Sequence, residues 1–200
     1  MKKEFNDTGL CLQNRHYMVD LTRKLDTAFE MIEKGKYFVI NRPRQYGKTT
    51  ILEMIYNTLD RNSYLPIFLS FETGGDECYI NLERFSKFFL EQIYKSLKIK
   101  EQIPVIDNFK DFSDEITRIN EMYEKKIVLL IDEIDKSSNN DLFINFLAML
   151  RNKYLVRHRE KTFHSIILAG LHDIKTLKLK LRPDDKAQYN SPWNIAAEFK

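Results

Sequence analysis

The sequence has only two cysteines, little net charge and no long apolar run, and each shortage excludes a class of protein. Cys11 and Cys78 match neither a disulfide framework nor the ligand spacing of a metal site, so we expect free thiols in a reducing compartment. The longest apolar run, residues 127–131, is far too short to span a membrane, and no apolar core of a secretion signal follows Met1. We therefore expect a cytoplasmic protein without a membrane segment.

The charge and the size of the chain limit the remaining classes. The 32 Lys and Arg residues and 29 Asp and Glu residues leave a net charge of +3. A charge this small gives no strong sign of a nucleic-acid surface unless the basic residues cluster. A chain of 200 residues with 43% hydrophobic residues fits one globular domain, residues 1–200, with a sizeable core.

Short apolar runs rich in β-branched and aromatic residues alternate with longer amphipathic stretches. This pattern is typical of a parallel sheet covered by helices on both faces, an α/β fold. We predict four strands, at residues 37–41, 66–71, 127–132 and 165–169. Five helices are predicted, at residues 21–34, 48–60, 82–97, 109–123 and 141–154. Residues 71–78, which hold the only Gly-Gly pair, are predicted to form a loop at the carboxyl edge of the sheet.

The first predicted strand leads into a Gly-Lys-Thr sequence that opens a helix. This order suits phosphate binding, because amide groups of the loop and the first helical turn converge on an anion at the positive end of the helix dipole. Gly47 lets the backbone approach the phosphates, Lys48 is predicted to reach the β- and γ-phosphates, and the Thr49 hydroxyl to bind Mg²⁺. The predicted nucleotide-binding set also includes the flanking residues Arg44, Gln45, Tyr46 and Thr50.

The match to the consensus phosphate loop is imperfect, because Arg42 stands where the consensus has its first glycine. A Gly-Lys-Thr tripeptide alone occurs often by chance. The strand before it, the helix after it and an acidic partner downstream favour a true phosphate loop. Arg42 and Arg44 are explained equally well as phosphate contacts and as solvated loop charges. Thr50 fits a structural role better than a ligand contact.

The third predicted strand ends in two adjacent carboxylates. A strand this apolar is buried, and its end lies at the carboxyl edge of the sheet, where α/β sheets bind ligands. Asp132 is therefore predicted to meet Mg²⁺ through water, with Thr49 as the other metal-site residue. Glu133 is predicted to polarise a water for attack on the γ-phosphate, and with Lys48 it forms the predicted catalytic pair. The alternative is a solvated acidic turn, and Asp135 fits a turn or helix-cap role.

These motifs resemble those of the AAA-ATPase-like proteins of bacteria, a branch of P-loop ATPases near the signal-transducing ATPases with numerous domains. The resemblance covers nearly the whole chain and rests on residues 16–20, 37–50, 129–135 and 166–175. The Arg-Pro-Arg sequence in place of the first glycine is usual in that family. The resemblance implies a three-layer α/β/α sandwich of the ASCE type of P-loop NTPase, with a mainly parallel sheet in the order 5-1-4-3-2. It also implies ATP and Mg²⁺ as ligands.

The same resemblance assigns segments of the chain. It implies an adenine-side segment at about 5–35 with the backbone near Tyr17 against the base, a core at about 36–180 and a tail at 181–200. It suggests His172 or Asp173 as a γ-phosphate sensor, although a loop or cap role is the more ordinary explanation. Arg151 and Arg182 are candidate arginine fingers that fit surface charges better.

Family members continue with a fifth strand and a helical lid, and this sequence ends where that portion begins. We therefore expect a truncated domain in which hydrolysis is weak while binding survives, and the sequence leaves open whether the fifth strand is present. Together, the motifs and the resemblance predict a Mg²⁺-dependent ATPase that acts as a conformational switch, with a protein partner or a second copy of the chain compatible with that role. The alternatives are a non-hydrolysing ATP-binding module for a protein partner and, third, a P-loop kinase. Adenine is preferred to guanine by the resemblance only, since no Asn-Lys-x-Asp pattern is present.

Overall fold

The computed structural model describes residues 3–5, 15–17, 19–41, 46–137, 140–170 and 195–199. The helices in these residues are α1 (Thr22–Glu33), α2 (Lys48–Thr58), α3 (Leu82–Leu97), α4 (Phe109–Glu121) and α5 (Asn140–Val156). The strands are β1 (Tyr37–Asn41), β2 (Tyr64–Ser70), β3 (Lys126–Asp132), β4 (Ser165–Gly170) and β5 (Ala197–Glu198). The predicted helices and strands are confirmed with small shifts at their ends. None of the helices in the described residues combines the length and apolar character that crossing a membrane requires.

The strands form one parallel sheet in the order β2-β3-β4-β1-β5. β4 lies between β1, which precedes the phosphate loop, and β3, which ends in the carboxylates. Read from its other edge, this is the order 5-1-4-3-2 that the resemblance implies, so the predicted sheet order is confirmed. The sequence left open whether a fifth strand is present, and the structure has a short one, in which Ala197 and Glu198 pair with Phe38 and Val39 of β1.

The sheet separates two hydrophobic layers, and β3 supplies side chains to both. Ile127, Leu129 and Ile131 pack with apolar residues of α3, α4 and α5 on one face. Val128 and Leu130 pack with residues of α1 and α2 on the other face. Successive side chains of a strand point to opposite faces, so an uninterrupted apolar run is what a strand covered on both sides requires. The result is the three-layer α/β/α arrangement predicted from the sequence.

Local polar contacts fix the starts of α3 and α4. Asn81 Oδ1 accepts a hydrogen bond from the Arg84 amide at 3.0 Å, and Asn108 Oδ1 accepts one from the Asp111 amide at 2.9 Å. Such caps satisfy amides that have no partner inside the helix and contribute about 1 kcal/mol each. Residues 71–78, predicted as a loop, fall within two 3-10 turns, Phe71–Gly74 and Asp76–Tyr79.

Candidate functional site

The start of α2 has the backbone geometry that its Gly-Lys-Thr sequence predicts. α2 begins at Lys48, and Gly47 precedes it with φ of 74° and ψ of 22°, in the left-handed region. Among the described residues, no atom lies within 4 Å of where a β-carbon on Gly47 would be. The position therefore favours glycine because of its backbone conformation. The first helical hydrogen bond runs from the Ile51 amide to the Gly47 carbonyl, and amides before it have no partner inside the helix.

A hydrogen bond joins the start of α2 to the end of β3. Thr49 Oγ1 donates to Asp132 Oδ2 at 2.6 Å, although the two residues lie 83 positions apart in the sequence. The other carboxylate oxygen of Asp132, Oδ1, accepts a hydrogen bond from the Glu133 amide at 2.9 Å. Asp132 is only 3% exposed, so these contacts hold its carboxylate in one orientation. The sheet thus brings together the two motifs that the sequence predicts to share a ligand.

Lys48 is a buried cation beside this pair. Its exposed fraction is 6%, which is unusual for lysine, because burial of an ammonium group is costly unless anions or dipoles surround it. Burial raises the pKa of Glu133, and the charge of Lys48 opposes that rise. The helix start and Lys48 together present positive charge at the carboxyl edge of the sheet.

Glu133 follows β3 in an unusual backbone conformation. Its φ of 50° and ψ of 42° lie in the left-handed region, which costs a non-glycine residue about 1–2 kcal/mol. Burial is the main cause that raises the pKa of Glu133, followed by the charges of Asp132 and Asp135, while Lys48 acts in the opposite direction. Backbone strain of this kind concentrates at functional sites.

The turn that follows Glu133 is held by contacts from two neighbouring strands. Glu133 directly precedes a 3-10 turn, Ile134–Lys136. Lys136 Nζ in this turn lies 3.4 Å from Oε1 of Glu72, which lies in the turn after β2. On the other side, a β-carbon on Gly170, the last residue of β4, would lie 2.6 Å from Asp135 Oδ1. Asp135 lies in a turn, as its sequence position predicts. The supporting roles of Glu72, Lys136 and Gly170 were not predicted, and the only signal for them was their position after the predicted strands.

The predicted site residues have different places in the structure. Lys48, Thr49, Asp132 and Glu133 come together at the carboxyl edge of the sheet. The remaining described ones are Thr50, buried in α2; Tyr46, which is exposed; Tyr17, which is exposed and packs against Phe5; and Arg151, in α5. Predicted residues that lie outside the described residues are Arg42, Arg44, Gln45, His172, Asp173 and Arg182.

The residues at this edge fit a magnesium nucleotide. The Thr49 hydroxyl and the Asp132 carboxylate are hard oxygen ligands of the kind that Mg²⁺ prefers, and their oxygens lie 2.6 Å apart. Lys48 and the start of α2 supply the positive charge that a polyphosphate requires. The site therefore has both the donor set for the metal and the charge for the anion.

The sheet order and this helix start define an α/β fold of the P-loop class. A model of the AAA-like domain family matches residues 6–180. The chain belongs to this family. No protein with a curated description has a matching sequence.

Two solved structures from Aeropyrum pernix share the fold. The ORC2 protein, solved in ADPNP-ADP complexes, has a TM-score of 0.53 and 11% identity, over 88% of this chain and 46% of that chain. The ORC1 protein in complex with DNA has a TM-score of 0.54 and 11% identity, over 92% of this chain and 46% of that chain. The chain spans about half the length of each protein. At this level of identity, the similarity shows the fold alone.

Proposed function

We propose that the domain binds ATP with Mg²⁺, hydrolyses it, and uses the change of bound nucleotide as a conformational switch. The observation that carries the proposal is the hydrogen bond between Thr49 Oγ1 and Asp132 Oδ2, beside the buried Lys48. A hydroxyl at the start of a helix that bonds a carboxylate at the end of a strand, beside a buried lysine, is poorly explained as a purely structural contact. These groups are well explained as ligands of a metal and a polyphosphate.

Binding of the phosphates is assigned to the start of α2. Lys48 contacts the terminal phosphates as a point charge, and the amides of the first helical turn add hydrogen bonds along the helix dipole. Gly47 supports this arrangement through its left-handed backbone. Arg44, Gln45 and Tyr46 remain proposed contacts of the loop, and Tyr17 remains the proposed contact on the adenine side.

We assign Mg²⁺ binding to Thr49 and Asp132. Bound Mg²⁺ supplies charge neutralisation on the phosphate oxygens, which is a main need of phosphoryl transfer. Thr49 Oγ1 is proposed as a direct ligand and Asp132 as a ligand through water. The burial of Asp132 and its hydrogen bond from the Glu133 amide keep the carboxylate in place for this role.

Glu133 is proposed to activate water. Its carboxylate accepts a proton from a water molecule whose oxygen forms a bond to the γ-phosphorus, while the bond from that phosphorus to the bridging oxygen breaks and ADP leaves. The left-handed backbone of Glu133 and the packing of Gly170 against Asp135 support a fixed direction for this side chain. The Glu72–Lys136 ion pair supports the same turn from the side of β2.

The direct test is calorimetric titration with ATP and GTP, together with a phosphate-release assay. We expect Lys48→Ala to weaken ATP binding by about tenfold or more, because a charge-assisted contact is lost. Glu133→Gln should retain ATP binding and lose about 100-fold or more of the phosphate release. Lys87→Ala and Glu83→Gln, both at exposed positions of α3, are the matched controls and should behave like the unaltered protein.

The outcomes separate the alternative functions. Tight ATP binding without any phosphate release from the unaltered protein would favour a non-hydrolysing module. Transfer of the phosphate to an acceptor in place of water would favour a kinase. Unchanged phosphate release in Glu133→Gln would contradict the role given to that residue.

A further inference from the structure

A second pocket lies at the amino edge of the sheet, opposite the site described above. It has a volume of about 410 Å³ and lies where β1, β3 and β4 begin. Three segments supply most of its lining: residues 33–35 at the end of α1, residues 124–127 at the start of β3 and residues 161–164 before β4. Asn120 of α4 and Arg157, just after α5, complete it. Lys126 and Asp132 are the two ends of β3, and six steps of about 3.3 Å separate them by about 20 Å. The pocket is therefore distinct from the nucleotide site.

The charged side chains that line the pocket are mainly basic. Two carboxylates, Glu33 and Glu124, face five cations, which are Lys34, Lys125, Lys126, Arg157 and Lys161. Lys34 is paired with Glu30 of its own helix, at 3.3 Å. The other four form no ion pair within 4 Å in the part of the chain that the structure describes.

Neutral groups hold these four cations in place. Lys125 Nζ donates to the Arg61 carbonyl, and Lys161 Nζ donates to the Tyr123 carbonyl, each at 2.9 Å. Carbonyl groups direct a cation but leave its charge in place, so the pocket keeps a positive potential. A concave site focuses such a field and attracts anions.

The remaining two cations lie over aromatic rings. Arg157 lies 3.7 Å from the ring centroid of Tyr154, and Lys126 lies 5.8 Å from that of Tyr64. His164 lines the same pocket. Burial is the main cause that lowers its pKa, and the charges of Lys126 and Arg157 lower it further. The positive charge of Lys126 and Arg157 therefore acts on a side chain that lines the pocket.

We propose that this pocket binds a small multivalent anion of the phosphate class. Its volume lies in the range of about 300–1,000 Å³ that is usual for small-molecule sites. Four of the five cations are lysines, whose ammonium groups bind phosphate as point charges from several directions. A nucleic-acid strand fits less well, because single strands bind through bases stacked on open rings. The Tyr64 and Tyr154 rings are already in contact with cations.

The test uses the full chain and inorganic pyrophosphate without Mg²⁺, followed by amide NMR. Lys48→Ala serves as the background, so that binding at the start of α2 is suppressed. We expect chemical-shift changes at the amides of Gly35, Ile127 and His164. The double variant Lys125→Gln/Lys161→Gln should bind about tenfold more weakly. Its control, Lys87→Gln/Lys95→Gln in α3, removes the same charge from exposed positions and should bind with unchanged affinity.

Three results would overturn the proposal. One is a set of shift changes confined to Gly47–Thr49, which would mean that pyrophosphate binds only at the phosphate loop. Another is equal binding by the pocket variant and its control. The third is binding of a 5′-phosphorylated single-stranded oligonucleotide at the pocket when pyrophosphate does not bind there, which would assign it to nucleic acid. None of these depends on whether the domain hydrolyses ATP.

Discussion

Gly170 lies so close to Asp135 that a β-carbon on Gly170 would be 2.6 Å from Asp135 Oδ1. The same β-carbon would be 2.9 Å from Ile134 Cγ2. The end of β4 thus packs against the turn that carries Glu133. A β-carbon at this position therefore requires the side chains of Asp135 and Ile134 in that turn to move.

We expect Gly170→Ala to slow phosphate release by about tenfold, with a loss of about 1–3 kcal/mol in the free energy of unfolding from overpacking. ATP affinity should change much less, because Lys48 and Thr49 lie on a different element. Phosphate release at saturating ATP and urea unfolding measure these effects. Asp135→Ala added to Gly170→Ala should restore part of the stability. Full activity and stability in Gly170→Ala would show that the turn does not need this packing.

Removal of the Thr49 hydroxyl tests the proposed metal site. In the unaltered protein, Mg²⁺ should raise the affinity for ATP about tenfold or more. We expect Thr49→Ala to lose this gain, because a contact with a charged group that contributes about 1.5–3 kcal/mol disappears. Thr49→Ser keeps the hydroxyl and should keep most of that gain. Calorimetric titration with ATP, with Mg²⁺ and then with a chelator, distinguishes the two variants. A normal response of Thr49→Ala to Mg²⁺ would remove Thr49 from the metal site.

The left-handed backbone of Gly47 predicts how the start of α2 tolerates substitution. Gly47→Ala should lower the free energy of unfolding by about 1–2 kcal/mol, because alanine is strained at a φ of 74°. Gly47→Asn should cost less, since asparagine adopts this conformation more readily. Urea unfolding of the three proteins gives the order of stability. If alanine and asparagine cost the same, the loss has a cause other than backbone conformation.

His164 predicts a dependence of stability on pH. Burial and the charges of Lys126 and Arg157 lower the pKa of His164 below its ordinary value of 6.5, against the backbone hydrogen bonds to Ile32 and Glu33 that raise it. The unfolded chain therefore binds a proton at this histidine more readily than the folded protein does. As a result, the folded protein loses stability as the pH falls below the ordinary pKa of histidine.

The measurement is urea unfolding at about pH 7.5 and about pH 5.5, on either side of the ordinary pKa of histidine. The unaltered protein should lose more stability over this interval than His164→Gln. Glutamine offers an amide donor for the Ile32 carbonyl, which lies 2.7 Å from His164 Nε2, but it does not titrate. An equal loss in both proteins would assign the acid sensitivity to other groups.

The core of the site follows from local rules, which is why it was predictable. Gly47-Lys48-Thr49 stands between a β-type run and a helical run, and the apolar run of β3 stops at Asp132. Parallel strands present their carboxyl ends at one edge, so the pattern alone places these residues together. The family assignment from residues 6–180 agrees with the resemblance that the same motifs suggested.

The missed features depend on packing between distant segments. The sequence pattern predicts a strand that begins at Pro66, but β2 begins at Tyr64, which pairs with Lys126. Proline is tolerated there because β2 is the edge strand of the described sheet, a position that no local pattern reveals. The contact of Gly170 with Asp135 likewise requires knowledge of which strands are neighbours. β5 has only two residues, too few to leave a pattern of alternation.

The course of β3 between two hydrophobic layers limits how a nucleotide cycle can act on this domain. If Asp132 moved along the strand axis, the β3 side chains packed in both hydrophobic layers would have to move with it. Close-packed interiors resist such sliding. Rearrangement on nucleotide exchange is therefore expected in the turns beyond the strand ends, while the sheet stays as the fixed frame against which they move.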